Sequence, residues 1–154
     1  MRHTRQLEEI PELVQKWCSY LGLSVEATFE KSGDDLLFPN RMALSGQDAS
    51  HLLSGRSQPL DALQYLLHEA QGDRDESKLV YLDVQGTRLF RMRELVAMAG
   101  LAAQKARQNG SYTFVSLTPK ERRWIHLVIR NESDLETYSE GFGTIKSLKV
   151  LRKV

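Results

Sequence analysis

The stretch at residues 116–131, "SLTPKERRWIHLVIRN", constrains the fold more than any other. Thr118 is a good N-cap, Pro119 suits the first helical position, and Glu121 stands at the capping-box position. A helix start is therefore written into the sequence. At about 100° per residue, with Arg122 at zero, His126 lies near 40°, Arg130 near 80° and Arg123 near 100°. On the same arithmetic Leu127, Trp124, Val128, Ile125 and Ile129 fall between roughly 140° and 340°. One side of this helix needs a core. The other carries three arginines and one histidine as a narrow ridge.

Like charges at helical spacing repel, so the ridge does not serve helix stability. Guanidinium groups match phosphate oxygens with paired hydrogen bonds, and each neutralised phosphate releases counterions. His126 can donate to phosphate or sugar while neutral, and adds charge when protonated. Three plainer readings stay open: a solvated face, neutralisation by acidic residues of the same chain, and His126 capping a neighbouring carbonyl.

Charge makes the same division. The 154 residues carry a net +1, but residues 1–85 hold 8 Lys+Arg against 14 Asp+Glu, and residues 86–154 hold 13 against 6. A basic C-terminal half suggests a polyanionic partner, although two oppositely charged halves could simply attract each other. Apolar residues make up 41%, enough for a packed core. The longest apolar runs are too short to span a bilayer. Met1–Glu9 is polar and lacks a signal-peptide pattern, which suits a cytoplasmic setting. The single cysteine, Cys18, excludes an internal disulfide and a multi-cysteine zinc site, and reads as a packing residue.

The pattern of periods predicts an α+β chain. Leu7, Ile10, Leu13, Val14, Trp17 and Leu21 give a helix with Pro11 in its first turn and Gly22 as its stop. Val25, Ala27 and Phe29 alternate as a strand, and a second strand is expected within residues 36–44, after a turn at residues 32–35 and with Pro39 as a break or edge. A short helix ends near Leu53, a second starts at Pro59 and runs to about Ala70, and residues 78–84 form a strand. A long helix is expected from Thr87 to about Gln108. Then come a strand at "YTFVSL", the helix over residues 119–131, and strands near 135–139 and 145–151.

Two motifs together resemble a known family. "LLSGRSQPLDALQYLL" is similar to the GxxG loop region of type II KH domains in the bacterial Jag family, also called KhpB. "PKERRWIHLVIRN", followed by "YSEG", resembles the domain named for its R-x-x-x-H motif. The resemblance covers nearly all of residues 5–154. It implies a type II KH domain of order α-β-β-α-α-β over residues 1–85, packed against a small R-x-x-x-H domain over residues 86–154. The family's further N-terminal Jag domain is expected to be missing, since no residues of this chain remain to form it. The implied activity is single-stranded nucleic-acid binding, RNA before DNA, without catalysis, cofactor or metal. The family is linked to post-transcriptional control and to cell elongation or division, and some members partner a separate small KH protein.

The motif pair falls on Arg122 and His126, with Arg123 and Arg130 widening the footprint, and the "SEG" turn falls on Ser139, Glu140 and Gly141. Tyr112 or Tyr138 could stack a base, or belong to the core. The four KH loop positions become Ser54, Gly55, Arg56 and Ser57, so both motif glycines are serines. A GxxG loop works because bare backbone approaches phosphate closely. Serine adds bulk and makes a left-handed conformation costlier. Loop binding is expected to be weakened, with Arg56 as its remaining charge. The alternative is a protein-docking module with a vestigial RNA site. No P-loop, metal cluster or nucleophile–base pair is legible, so no enzymatic role or small-molecule substrate is expected.

Overall fold

The computed structural model describes residues 7–30, 40–73, 75, 78–143 and 145–154. The chain divides into two compact units, Met1–Leu89 and Phe90–Val154. The first is a mixed three-stranded sheet with helices, the second an antiparallel three-stranded sheet with helices.

In the first unit a single turn of 3-10 helix, Leu7–Glu9, leads into α1 (Ile10–Tyr20), with Pro11 in the first turn as expected. Proline costs nothing there, because its missing N–H has no intrahelical acceptor. Ile10, Val14 and Cys18 face inward at a four-residue repeat and are fully buried. Burial pushes the Cys18 thiol above its ordinary range, which keeps it unreactive. β1 (Glu26–Glu30) pairs antiparallel with β2 (Arg41–Ser45), and β2 pairs parallel with β3 (Tyr81–Val84). β2 is therefore central, and Met42 and Leu44 are buried. The expected turn at residues 32–35, the start of the second strand and Pro39 lie outside the described residues.

The sequence expectation of a short α-helix before the loop needs correction. Ala49–Leu53 is 3-10 helix. Five residues suffice to bury Ala49 and Leu52, and the tighter winding closes the segment quickly. α2 (Ser54–Gln71) begins with a distorted turn at Gly55, Arg56 and Ser57, so its regular part starts near Pro59. It ends at Gly72, whose φ of 62° makes the left-handed C-cap. The strand expected over residues 78–84 is shorter, because its partner β2 pairs with it only from Tyr81 to Val84.

Two glutamine side chains close the sheet edge. β3 is an edge strand, and α2 places Gln64 and Gln71 two turns apart along it. Gln64 Oε1 accepts from Leu82 N at 2.7 Å, and its Nε2 donates to Val80 O at 2.8 Å. Gln71 Oε1 accepts from Val80 N at 3.1 Å, and its Nε2 donates to Lys78 O at 3.2 Å. Both glutamines are buried, and these four bonds satisfy backbone groups at the margin of the sheet.

α3 (Thr87–Asn109) starts in the first unit and continues through the second. The buried carboxylate of Asp83 caps its start, accepting from Arg88 N at 3.0 Å and Leu89 N at 3.2 Å. Arg41 donates to the same carboxylate at 3.2 Å. In the second unit, Met92, Leu95, Ala99, Ala102, Ala103 and Ala106 form the buried stripe of α3. Its small residues let neighbouring elements approach closely. β4 (Ser111–Phe114) pairs with β6 (Ile145–Arg152), which pairs in turn with β5 (Leu135–Phe142), so β6 is central. β4 stops at Phe114, short of the expected "YTFVSL", and Val115 is exposed. β5 runs further than expected. Ser139, Glu140 and Gly141 lie within it rather than in a turn, and the chain reverses at Gly143 with φ 62°.

Candidate nucleic-acid interface

α4 (Pro119–Ile129) carries the capping box read from the sequence. Glu121 N donates to Thr118 Oγ1 at 3.3 Å, and Thr118 N donates to Glu121 Oε2 at 2.9 Å. Glu121 also accepts from Arg91 Nε of α3 at 2.7 Å. Burial raises the Glu121 pKa, but Arg91 and the Thr118 bonds together outweigh it and hold the carboxylate ionised. One residue thus caps α4 and pins its start to α3. Trp124, Ile125 and Ile129 are buried, as the periodicity requires.

The ridge does not emerge as drawn. Arg123, His126 and Arg130 are exposed, but Arg122 is 7% exposed. Its Nη1 donates to Leu117 O at 2.8 Å and Lys146 O at 3.2 Å. The reason lies in the wheel: Arg122 sits at the border between the apolar arc and the polar one, beside Ile129. Its long side chain folds back and spends its guanidinium on two main-chain carbonyls instead of extending into solvent. Arg130 is the C-cap of α4.

An open pocket of about 400 Å³ lies over the N-terminal part of α4, lined by Pro119, Arg122, Arg123 and His126 of the helix. Thr137, Tyr138 and Ser139 of β5, with Lys146 and Leu148 of β6, complete it. The ring Nδ1 of His126 is hydrogen-bonded to the Thr137 hydroxyl. When Thr137 donates, Nε2 carries the proton and presents a donor. Tyr138 is 39% exposed, and Lys149 Nζ lies 5.9 Å from its ring centroid. The other tyrosine, Tyr112, is partly buried and stacks edge-on against Phe114 at 5.0 Å. Sequence reasoning missed Lys146 and Thr137. They enter only because the β5–β6 pairing brings them beside α4, and strand alternation gives no hint of that.

The loop of the first unit is built on backbone geometry instead. Ser54 is extended (φ −61°, ψ 153°), and its hydroxyl donates to His51 O at 2.8 Å. Gly55, Arg56 and Ser57 are all left-handed, with φ of 55°, 61° and 64°. Of the two serines at glycine positions, only Ser57 pays for its side chain; a glycine at position 54 would gain no freedom it needs. Arg56 is exposed but also left-handed, which for a non-glycine residue costs about 1–2 kcal/mol. Three successive residues of one turn are thus held in this sparsely populated region, two of them not glycine.

Among the described residues no group of three or more metal-ligating side chains converges. Among them, too, no helix is long and apolar enough to cross a membrane.

Residues 93–152 match the R3H domain family, so the C-terminal part of the chain is an R3H domain. The chain is also homologous to the RNA-binding protein KhpB of Clostridium symbiosum, with 33% identity over 100 residues. That match takes in 64% of this chain and 45% of the relative, so the chain spans a little under half of that protein's length.

Proposed function

We propose that this chain is a non-catalytic binding protein for single-stranded RNA, with the α4 pocket as its principal contact. The observation that carries the reading is the convergence of exposed Arg123 and His126 with Lys146 at one open pocket of an R3H domain. Arg123 and Lys146 take phosphate, and His126 donates to phosphate or sugar. Arg130 extends the basic footprint beyond the pocket. Arg122 supports the site from beneath by holding the backbone at Lys146 and Leu117. Homology to an RNA-binding protein favours RNA over DNA.

The first unit reads as a type II KH domain whose loop is a secondary contact. Its element order, with 3-10 helix in place of one short α-helix, and the left-handed turn at the loop support this. Residues 1–85 carry 14 acidic against 8 basic residues, which works against phosphate and leaves Arg56 as the loop's one cation.

Titration of labelled single-stranded RNA over a salt series tests the site assignment. Arg123→Ala combined with His126→Ala is expected to lower affinity about tenfold and to flatten the salt slope by about 1, the loss of one to two phosphate contacts. Unchanged affinity and slope would rule the pocket out.

A further inference from the structure

The register of the second sheet exposes something the charged residues do not account for. Lys153 N donates to Asp134 O at 2.9 Å, which makes that pair hydrogen-bonded and sets the phase of the β5–β6 ladder. On the other side of β6, Arg152 N donates to Gly110 O at 3.0 Å, so even-numbered residues of β6 face β4. The two observations agree. Odd-numbered residues of β6 face β5, where Leu151, Lys149 and Ser147 pair with Glu136, Tyr138 and Glu140. In an antiparallel ladder the alternate residues of β5 then turn their N–H and C=O away from β6. Those residues include Thr137 and Ser139. β5 ends the sheet, and among the described residues no strand lies beyond it.

Thr137 and Ser139 line the same pocket as Arg123, His126 and Lys146. A pocket of about 400 Å³ is in the range that holds one small ligand. Its cations suit a phosphate, Leu148 and Pro119 add apolar wall, and the edge of β5 supplies main-chain donors beside main-chain acceptors. The outward N–H and C=O of one strand residue form a donor–acceptor pair, which is also what the Watson–Crick edge of an unpaired base presents. Contacts made to the sugar-phosphate backbone position a strand but do not tell one base from another.

We propose that the open edge of β5 at Thr137 and Ser139 reads the base of one nucleotide of a single strand whose phosphates the α4 cations hold. This rests on the site assignment above and adds to it the origin of base preference. Position 139 separates the two. The outward N–H of an edge strand is a place where proline is tolerated, and proline removes the donor.

The test uses the full chain and homopolymeric single-stranded RNAs of each base. Wild type is expected to favour one homopolymer by about fivefold or more, the size of one good base contact. Ser139→Pro should level the preference to within about twofold and keep the salt slope, and Ser139→Ala should retain it, since alanine keeps the N–H. No preference in the wild type, or equal loss in the alanine and proline variants, overturns the proposal. If Ser139→Pro does not fold, amide resonances of wild type decide. Those of Thr137 and Ser139 should shift with RNA and stay in place with an abasic sugar-phosphate oligomer; equal shifts with both overturn it. Failure here with a normal defect in Arg123→Ala/His126→Ala sinks only the edge reading. Normal binding by that double variant sinks the site assignment itself.

Discussion

The two candidate binding surfaces are made in opposite ways. The loop at Ser54–Ser57 has shape without much charge: a left-handed turn, held against the preference of two of its residues, in a half of the chain that is net acidic. The α4 pocket has charge without strain: a capped helix in regular geometry, with cations that converge because a hairpin lies beside it. A backbone site is damaged by any side chain that resists its φ. A side-chain site is damaged by loss of whatever holds the side chains in place. Arg122, which lines the pocket and also bonds two main-chain carbonyls, is exposed to the second kind of vulnerability.

The comparison breaks most visibly at Arg122. Arg122→Ala leaves the carbonyls of Leu117 and Lys146 without their donor and is expected to cost roughly 2–4 kcal/mol, with loss of RNA binding as the pocket loosens. Denaturant unfolding checks this. If stability is unchanged and only binding falls, Arg122 is a ligand after all. The contrasting case is Arg123→Ala with His126→Ala, where binding falls and the unfolding midpoint stays within about 0.5 kcal/mol of wild type, as exposed positions allow.

Smaller effects sharpen the loop side. Ser57→Gly relieves φ 64° and is expected to stabilise by up to about 1 kcal/mol. Ser54→Gly frees an extended residue, removes the hydroxyl bonded to His51, and should destabilise slightly. Opposite signs at the two serines, read by thermal unfolding, would support the asymmetry; equal gains would contradict the left-handed turn.

The smallest effect concerns the far end of the second unit. Arg107 donates to Asp134 at 2.6 and 2.8 Å and to Glu132 at 2.6 Å. The guanidinium holds the Asp134 carboxyl down at about 2, below its ordinary 3.8. A depressed carboxylate pKa contributes stability above the unfolded value, and that contribution disappears as pH falls through the folded one. The Tm gap between wild type and Asp134→Asn should therefore be constant near neutrality and close between pH 3.8 and about 2. Both groups are solvated, so the gap is small at every pH.

Much of this was legible in the residues. The capping box at Thr118 and Glu121, the proline starts of α1 and α4, and the apolar stripes of α1, α3 and α4 all follow from local chemistry. Locally determined features of that kind can be read one element at a time. The features that went unread depend on partners far along the chain. Arg122 leaves the exposed ridge because it bonds a carbonyl 24 residues later. Lys146 and Thr137 join the site through strand pairing, and Ser139–Gly141 become strand because β6 provides the ladder to continue it. Gln64 and Gln71 read as ordinary polar positions on a helix until β3 is laid beside them.

Those two glutamines have a consequence for the β3 margin of the sheet. An exposed edge strand is an invitation to foreign strands, and the usual defences are charge, proline or a bulge. Here the helix lends two amides that mimic a fourth strand. Amide protons at Val80 and Leu82, though at the margin of the sheet, are locked as if they were interior, and the margin is sealed against templated growth.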